Sequence, residues 1–163
     1  MRLLRLLQGQ GFGTRRECAA LVAGGRVEAG GRSVTDPDAE FDAEGLELVV
    51  DGQRWTCVER AIVLLHKPAG YECSQRPQRY PSVLELLPAP LRRRGVQPVG
   101  RLDADTTGLL LLTDDGALLH RLTSPKRHVP KTYLATCVKP VRPEQIERLR
   151  EGVVLRDDPV PVR

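Results

Sequence analysis

Residues 100–116, GRLDADTTGLLLLTDDG, constrain the fold more than any other stretch of the chain. Four consecutive Leu lie between a Thr-Thr-Gly turn and an Asp-Asp-Gly turn. An apolar run this short, bounded by turn residues on both sides, predicts a fully buried strand. A buried strand needs covered neighbours, so the chain must build a sheet with a core, and a purely helical or disordered chain is excluded. The composition allows it: 40% of residues are hydrophobic but only 4% aromatic, so packing rests on Leu, Val and Ala. The unusual part is what precedes the strand. Arg101, Asp103 and Asp105 stand on a loop at its mouth, where rigid backing and an open face coincide.

The surrounding sequence supplies companions. AIVLLHKP predicts a buried strand ending in a Lys-Pro turn, SVLELL a short helix, and ALLHRL a helical turn after Asp-Asp-Gly. KTYLATCV alternates like a strand, with Tyr133, Ala135 and Cys137 on one face. PEQIERLREG predicts an amphipathic helix with Pro at its first position, Ile146 and Leu149 inward, and Gly152 as its stop. Strands and helices interleave without repeats, which predicts an α+β or mixed α/β class.

Charge sets the first third apart. Residues 1–32 carry six Arg against two Glu, and residues 33–60 carry eight acids against two Arg. This polarity predicts a small N-terminal module. Leu3, Leu4, Leu6 and Leu7 form a short apolar helix ending near Gly9 and Gly11. Thr14-Arg-Arg-Glu17 is a capping box that opens a second helix, and Gly24-Gly25 ends it. RVEA, a Gly-Gly turn and RSV predict a tight hairpin. Arg15 and Arg16 oppose the helix dipole in the first turn. They are either solvated surface groups or are placed for an outside partner.

Net charge is +4 with pI near 9.1, and most of the 25 basic residues are Arg. Arg suits bidentate phosphate contacts. Cys18, Cys57, Cys73 and Cys137 contain no C-x-x-C pair and no disulfide framework, so reduced thiols and a cytoplasmic location are expected. No apolar run spans 18 residues, and a membrane partner is not expected.

Asp103 and Asp105 admit three readings. Asp103, Asp105, Thr107, Gly108 and Asp114 fall in calcium-loop slots, but a Glu is missing at the twelfth and Leu fills the middle. Either Asp alone can cap a turn. The third reading is catalytic: a carboxylate on a rigid loop beside the cation of Arg101 is a usable nucleophile or base, and carboxylates serve glycosidic-bond cleavage at sugar C1′.

GRLDADTTGLLLLTDDG closely resembles the central motif of the RsuA-type pseudouridine synthases. LLHKPAGYECS resembles the family's first motif, and SPKRHVPKTYLATCVKPV the stretch carrying its active-site Tyr. Residues 1 to about 48 resemble the S4 RNA-binding domain that precedes the catalytic domain in this branch. Asp-Thr-Thr-Gly, Thr-Asp-Asp-Gly and Ser-Pro before Lys-Thr-Tyr lean toward the small-subunit rRNA enzyme.

The resemblance implies an α+β fold with an S4-like αα-β module at 1–58 and a mixed or antiparallel pseudouridine synthase sheet at 59–163. Family proteins continue well past the last residue here, so 59–163 is expected to be the N-terminal portion of a truncated catalytic domain. The resemblance makes Asp103 catalytic, with Tyr133 stacking on the base and Arg101 pairing with Asp103 or phosphate. It implies no cofactor and no metal. The implied partner is ribosomal RNA, 16S in particular, bound by a monomer. Arg15, Arg16, Arg26, Lys67, Arg92, Arg93, Arg94, Lys126, Arg127 and Lys131 are the candidate RNA contacts, with Lys67 also expected in the turn that supports the site. Leu4 departs from the acidic residue usual in S4-like modules. The competing expectation is a non-catalytic RNA-binding protein with an incomplete catalytic half.

Overall fold

The first two helices form where capping and apolar spacing coincide. In the computed structural model, which describes residues 1–127, 129–155 and 158–162, α1 spans Leu3–Gly9 and buries Leu3, Leu6 and Leu7. Helix α2, Arg15–Ala23, opens on the expected capping box: Glu17 N donates to Thr14 Oγ1 at 3.3 Å, and Thr14 N donates to Glu17 Oε2 at 2.7 Å. Two orphan donors are thereby satisfied. Strands β1 (Val27–Ala29) and β2 (Arg32–Ser33) pair antiparallel across Gly30-Gly31, which take φ of 57° and 79°. Positive φ at both turn residues matches the twist of the flanking strands.

The acidic block hides a second hairpin, absent from the sequence expectations. Strands β3 (Glu47–Val50) and β4 (Gln53–Thr56) turn through Asp51-Gly52 and complete a sheet of order β2-β1-β3-β4. This sheet and the two helices close one core around Leu3, Leu6, Leu7, Cys18, Val22, Val27 and Leu48. Phe12 packs edge-on against Trp55, with ring centroids 5.4 Å apart.

A second core follows, built on Ala61, Val83, Leu87, Val96, Leu110 and Leu112. Strand β5 (Ile62–Lys67) pairs antiparallel with β7 (Gly108–Thr113), which also takes β6 (Gln97–Pro98) on its other edge. A 3₁₀ turn at Val83–Leu86, α3 (Ala89–Arg93) and α4 (Gly116–Thr123) complete it. Asp115 caps α4 by accepting from Ala117 N at 2.9 Å and Leu118 N at 3.1 Å.

Strands β5 and β7 differ from the expectation of full burial. Leu110 and Leu112 are buried, but Leu109 is 70% exposed and Leu64 68%. Side chains alternate across an antiparallel sheet, and here one face lies on the core while the other carries Ile62, Leu64 and Leu109 in the open. A run of Leu does not reveal that alternation, because both faces carry the same side chain.

The chain divides into two compact units, Met1–Val129 and Pro130–Arg163. The second, taken by itself, holds α5 (Pro143–Glu151) and an antiparallel pair, β8 (Val153–Leu155) and β9 (Asp158–Val162). Two expectations fail in it. KTYLATCV forms no strand, because a strand is defined by ladder bonds to a neighbour and no described residue supplies them. Ile146 and Leu149 are exposed rather than turned inward, so α5 keeps its amphipathic pattern without covering its apolar stripe. Among the described residues no helix is long and apolar enough to cross a membrane.

Candidate active site

Strand register places the candidate site. Strands β6 and β7 are the arms of a hairpin whose connection, residues 99–107, carries Arg101, Asp103 and Asp105. Val99 N donates to Leu111 O at 2.7 Å and extends the pairing toward the loop. The last pair between β5 and β7 is Lys67 with Gly108, at the loop's other foot. A side chain at position 67 pointing to the core face must therefore enter beneath the loop.

Lys67 does so. It is 0% exposed, and its Nζ donates to Thr106 O at 2.8 Å, Asp103 O at 2.9 Å, Pro68 O at 3.0 Å and Ala104 O at 3.2 Å. An ammonium has three N–H donors, so four carbonyls share them. The loop is tied further by Thr106 N donating to Asp103 O at 3.1 Å and Gly70 N donating to Ala104 O at 2.7 Å. Leu102 N approaches Cys73 Sγ at 3.5 Å. Backbone oxygens face inward, and the Asp103 side chain is left exposed. That arrangement presents a carboxylate to solvent on a loop whose backbone is fixed from below.

Lys67 is accordingly removed from the RNA-contact set and kept as the support of the loop. Its buried stem and fully used donors leave nothing for a phosphate. Arg94 is removed for the same reason. Its side chain is 5% exposed and lies against Asp114, with Nε 2.6 Å from Oδ2. Arg101 is exposed, and no ion pair joins it to Asp103 among the described residues. The calcium reading also loses a ligand, because Asp114 is engaged by Arg94 and by Ala61 N, which donates to Oδ1 at 2.7 Å.

The remaining cations differ in availability. Arg15, Arg16, Arg92, Lys126 and Arg127 are exposed without a carboxylate partner among the described ion pairs. Arg26 is bound by both oxygens of Asp51, and Arg93 reaches Phe12 O at 3.3 Å and Glu17 Oε1 at 3.4 Å. Lys131 and Tyr133 belong to the second unit, where both are exposed, Tyr133 at 84%.

Sequence reasoning missed Glu72. Its carboxylate accepts from the backbone N–H of Arg79 at 2.8 Å, Tyr80 at 2.9 Å and Gln78 at 3.0 Å, and so folds the 73–81 loop back on itself. Those bonds, Tyr80 first, lower its pKa below the ordinary carboxylate value. A Glu before a loop of Pro, Gln and Arg gives no sequence signal for such a clasp.

Comparison with known proteins decides the family. A family model described as RNA pseudouridylate synthase matches residues 61–158. The chain belongs to the RNA pseudouridylate synthase family. Within it, the chain is 39% identical over 155 residues to an uncharacterized RNA pseudouridine synthase of Bacillus subtilis, covering 95% of this chain and 65% of the relative. It is 38% identical over 145 residues to the ribosomal small subunit pseudouridine synthase A of Pasteurella multocida, covering 89% and 60%. A crystal structure of a pseudouridylate synthase aligns over 100% of this chain and 70% of its own, with TM-score 0.55 and 33% identity. The chain thus spans 65% or less of the length of these two curated relatives. The Lys67-tied loop lies inside the matched pseudouridylate synthase region.

Proposed function

We infer that the chain serves the isomerisation of a uridine to pseudouridine in ribosomal RNA, 16S rRNA of the small subunit in particular, with Asp103 as the catalytic group. The observation that carries this reading is the exposed Asp103 carboxylate on a loop pinned by buried Lys67, within the region that matches the pseudouridylate synthase family. Three relatives are named ribosomal small subunit pseudouridine synthase A, which favours that substrate.

The N1–C1′ bond breaks as Asp103 attacks C1′ or removes a sugar proton. The freed uracil turns, and C5 bonds to C1′ as the Asp103–C1′ bond breaks or, on the second route, as the abstracted proton returns to the sugar; the C5 proton leaves and N1 gains one. No group or electron is gained overall, so no cofactor is required. Tyr133, following the family resemblance, stacks on the base and assists removal of the C5 proton. The target uridine must leave its stack, at a cost of a few kcal/mol. An S4-type module at 1–58, with Arg15, Arg16 and Arg26, and the basic residues Arg92, Arg93, Lys126, Arg127 and Lys131 of 59–163 offset that cost by gripping phosphates. Arg101 is free to take a phosphate beside the target.

The test uses small-subunit rRNA tritiated at uridine C5, with released tritium counted for wild type and Asp103→Ala. Release by wild type alone supports the reading. Equal release by both refutes the role of Asp103, and RNA binding by both with no release from either refutes the reading in favour of a binding protein.

A further inference from the structure

The two cores of the first unit are joined at one buried polar node. Arg94, at the end of α3, sends Nε to Asp114 Oδ2 at 2.6 Å, NH1 to Gln10 Oε1 and to Val58 O, each at 3.0 Å, and NH2 to Glu59 O at 2.8 Å. Gln10 follows α1 and is itself buried. Its Oε1 also accepts from Trp55 Nε1 at 3.1 Å and Val58 N at 3.2 Å, while its Nε2 donates to Val58 O at 2.9 Å. Asp114 closes β7 and, through Oδ1, holds Ala61 N just ahead of β5. One guanidinium therefore touches the N-terminal core, the 58–59 connection, and the strand pair whose far end carries Lys67 and the Asp103 loop.

The backbone is shaped for the same junction. Gly11 has φ of +86°, and a Cβ there would stand 2.1 Å from Pro90 O. At Gly13 an added Cβ would come within 2.9 Å of Arg93 NH1. At Gly11, where the clash is with backbone, only glycine permits the α1–α2 connection to lie this close to α3. A surface basic triplet would need none of this.

We propose that Arg94 is a positioning residue, which locks the N-terminal core in fixed register with the β5–β7 pair so that RNA held by the one is presented to Asp103 on the other. The presentation of RNA rests on the reading given under Proposed function; the lock does not. Arg suits the role because its planar fork reaches several acceptors in fixed directions, whereas Lys offers a single point charge. Six residues of strand at ~3.3 Å each separate the node from the catalytic loop. A small rotation at Arg94 therefore becomes a displacement of several ångströms between the RNA-gripping surface and the carboxylate.

Arg94→Lys is the discriminating variant, since it retains a cation for Asp114 but cannot also span Gln10, Val58 and Glu59. Gln10→Ala is the second, and it leaves the ion pair intact. Trp55 is the only Trp in the chain and donates to Gln10, so its fluorescence reports the N-terminal core, while far-UV circular dichroism reports the whole. Wild type is expected to melt with both probes coincident. In both variants the Trp55 transition should fall about 5 °C or more below the other. With rRNA, KM for a long fragment should rise about tenfold while kcat at saturation stays within about twofold, and a short fragment holding only the target uridine should show no change. Coincident melting in both variants overturns the lock. Separate melting with kcat reduced equally on long and short RNA overturns the positioning role. If even wild type isomerises no uridine, the enzymatic reading fails, and the melting arm still decides the lock.

Discussion

Replacing Lys67 by Met tests the support of the candidate catalytic loop. Met fills most of the volume of the lysine stem, so little apolar packing is lost. What disappears is the shared donor for three loop carbonyls, those of Asp103, Ala104 and Thr106. A hydrogen bond to a charged group contributes about 1.5–3 kcal/mol net, so three contribute at most about 5–9 kcal/mol. Two effects reduce that figure. The loop lies at the surface, where water can satisfy its carbonyls once it opens, and removing a buried ammonium also removes its desolvation cost. A net loss of about 2–4 kcal/mol remains, which for a chain of this size lowers Tm by roughly 5–15 °C. Activity should suffer more than stability, because a displacement of about 1 Å at a reacting group can cost about a hundredfold in rate. The assay pairs a thermal melt with tritium release at saturating RNA. A Lys67→Met protein that melts within about 2 °C of wild type and turns over at the wild-type rate would refute the supporting role.

Other consequences can be checked on the same material. Glu17 is held below its ordinary pKa of 4.5 chiefly by the Thr14 N–H, then by the Thr14 hydroxyl and Arg93. A lowered native pKa adds stability above pH 4.5 that is lost as the pH falls through the native value. Glu17→Gln should flatten the acid limb of the melting profile, and an unchanged limb would show that the cap does not titrate. Burial pushes the Cys57 thiol up to about 11 and raises that of Cys18, while Cys137 is exposed. Alkylation of the native chain at pH 8, followed by mass spectrometry, should therefore mark Cys137 well before Cys18 and Cys57.

Local signals in the sequence were the ones that held. Thr14 with Glu17, the Gly24-Gly25 stop and the Gly30-Gly31 hairpin are complete within a few residues, and each appears as its chemistry dictates. The strand at 108–113 and its loop were legible because apolar runs and turn residues stand side by side. What escaped depends on partners far along the chain. Lys67 meets carbonyls 36 to 39 residues away, and Arg94 meets Gln10 across 84. Arg92, Arg93 and Arg94 look alike as a triplet, yet α3 turns the third inward and leaves the first in solvent. The stretch 131–138 alternates correctly but lacks a ladder partner among the described residues, so pattern alone overstated it.

The support under Asp103 joins a cation to neutral carbonyl dipoles in a site closed to solvent, with no carboxylate among its bonded partners. Counterions screen exposed charges over about 10 Å at 0.1 M but enter a closed site poorly. On the proposed function, the grip on RNA, assigned to exposed arginines and lysines, would weaken steeply with added salt. Capture and chemistry would then answer to different variables: ionic strength would govern how much of the protein carries RNA, while the turnover of each bound molecule would stay nearly constant.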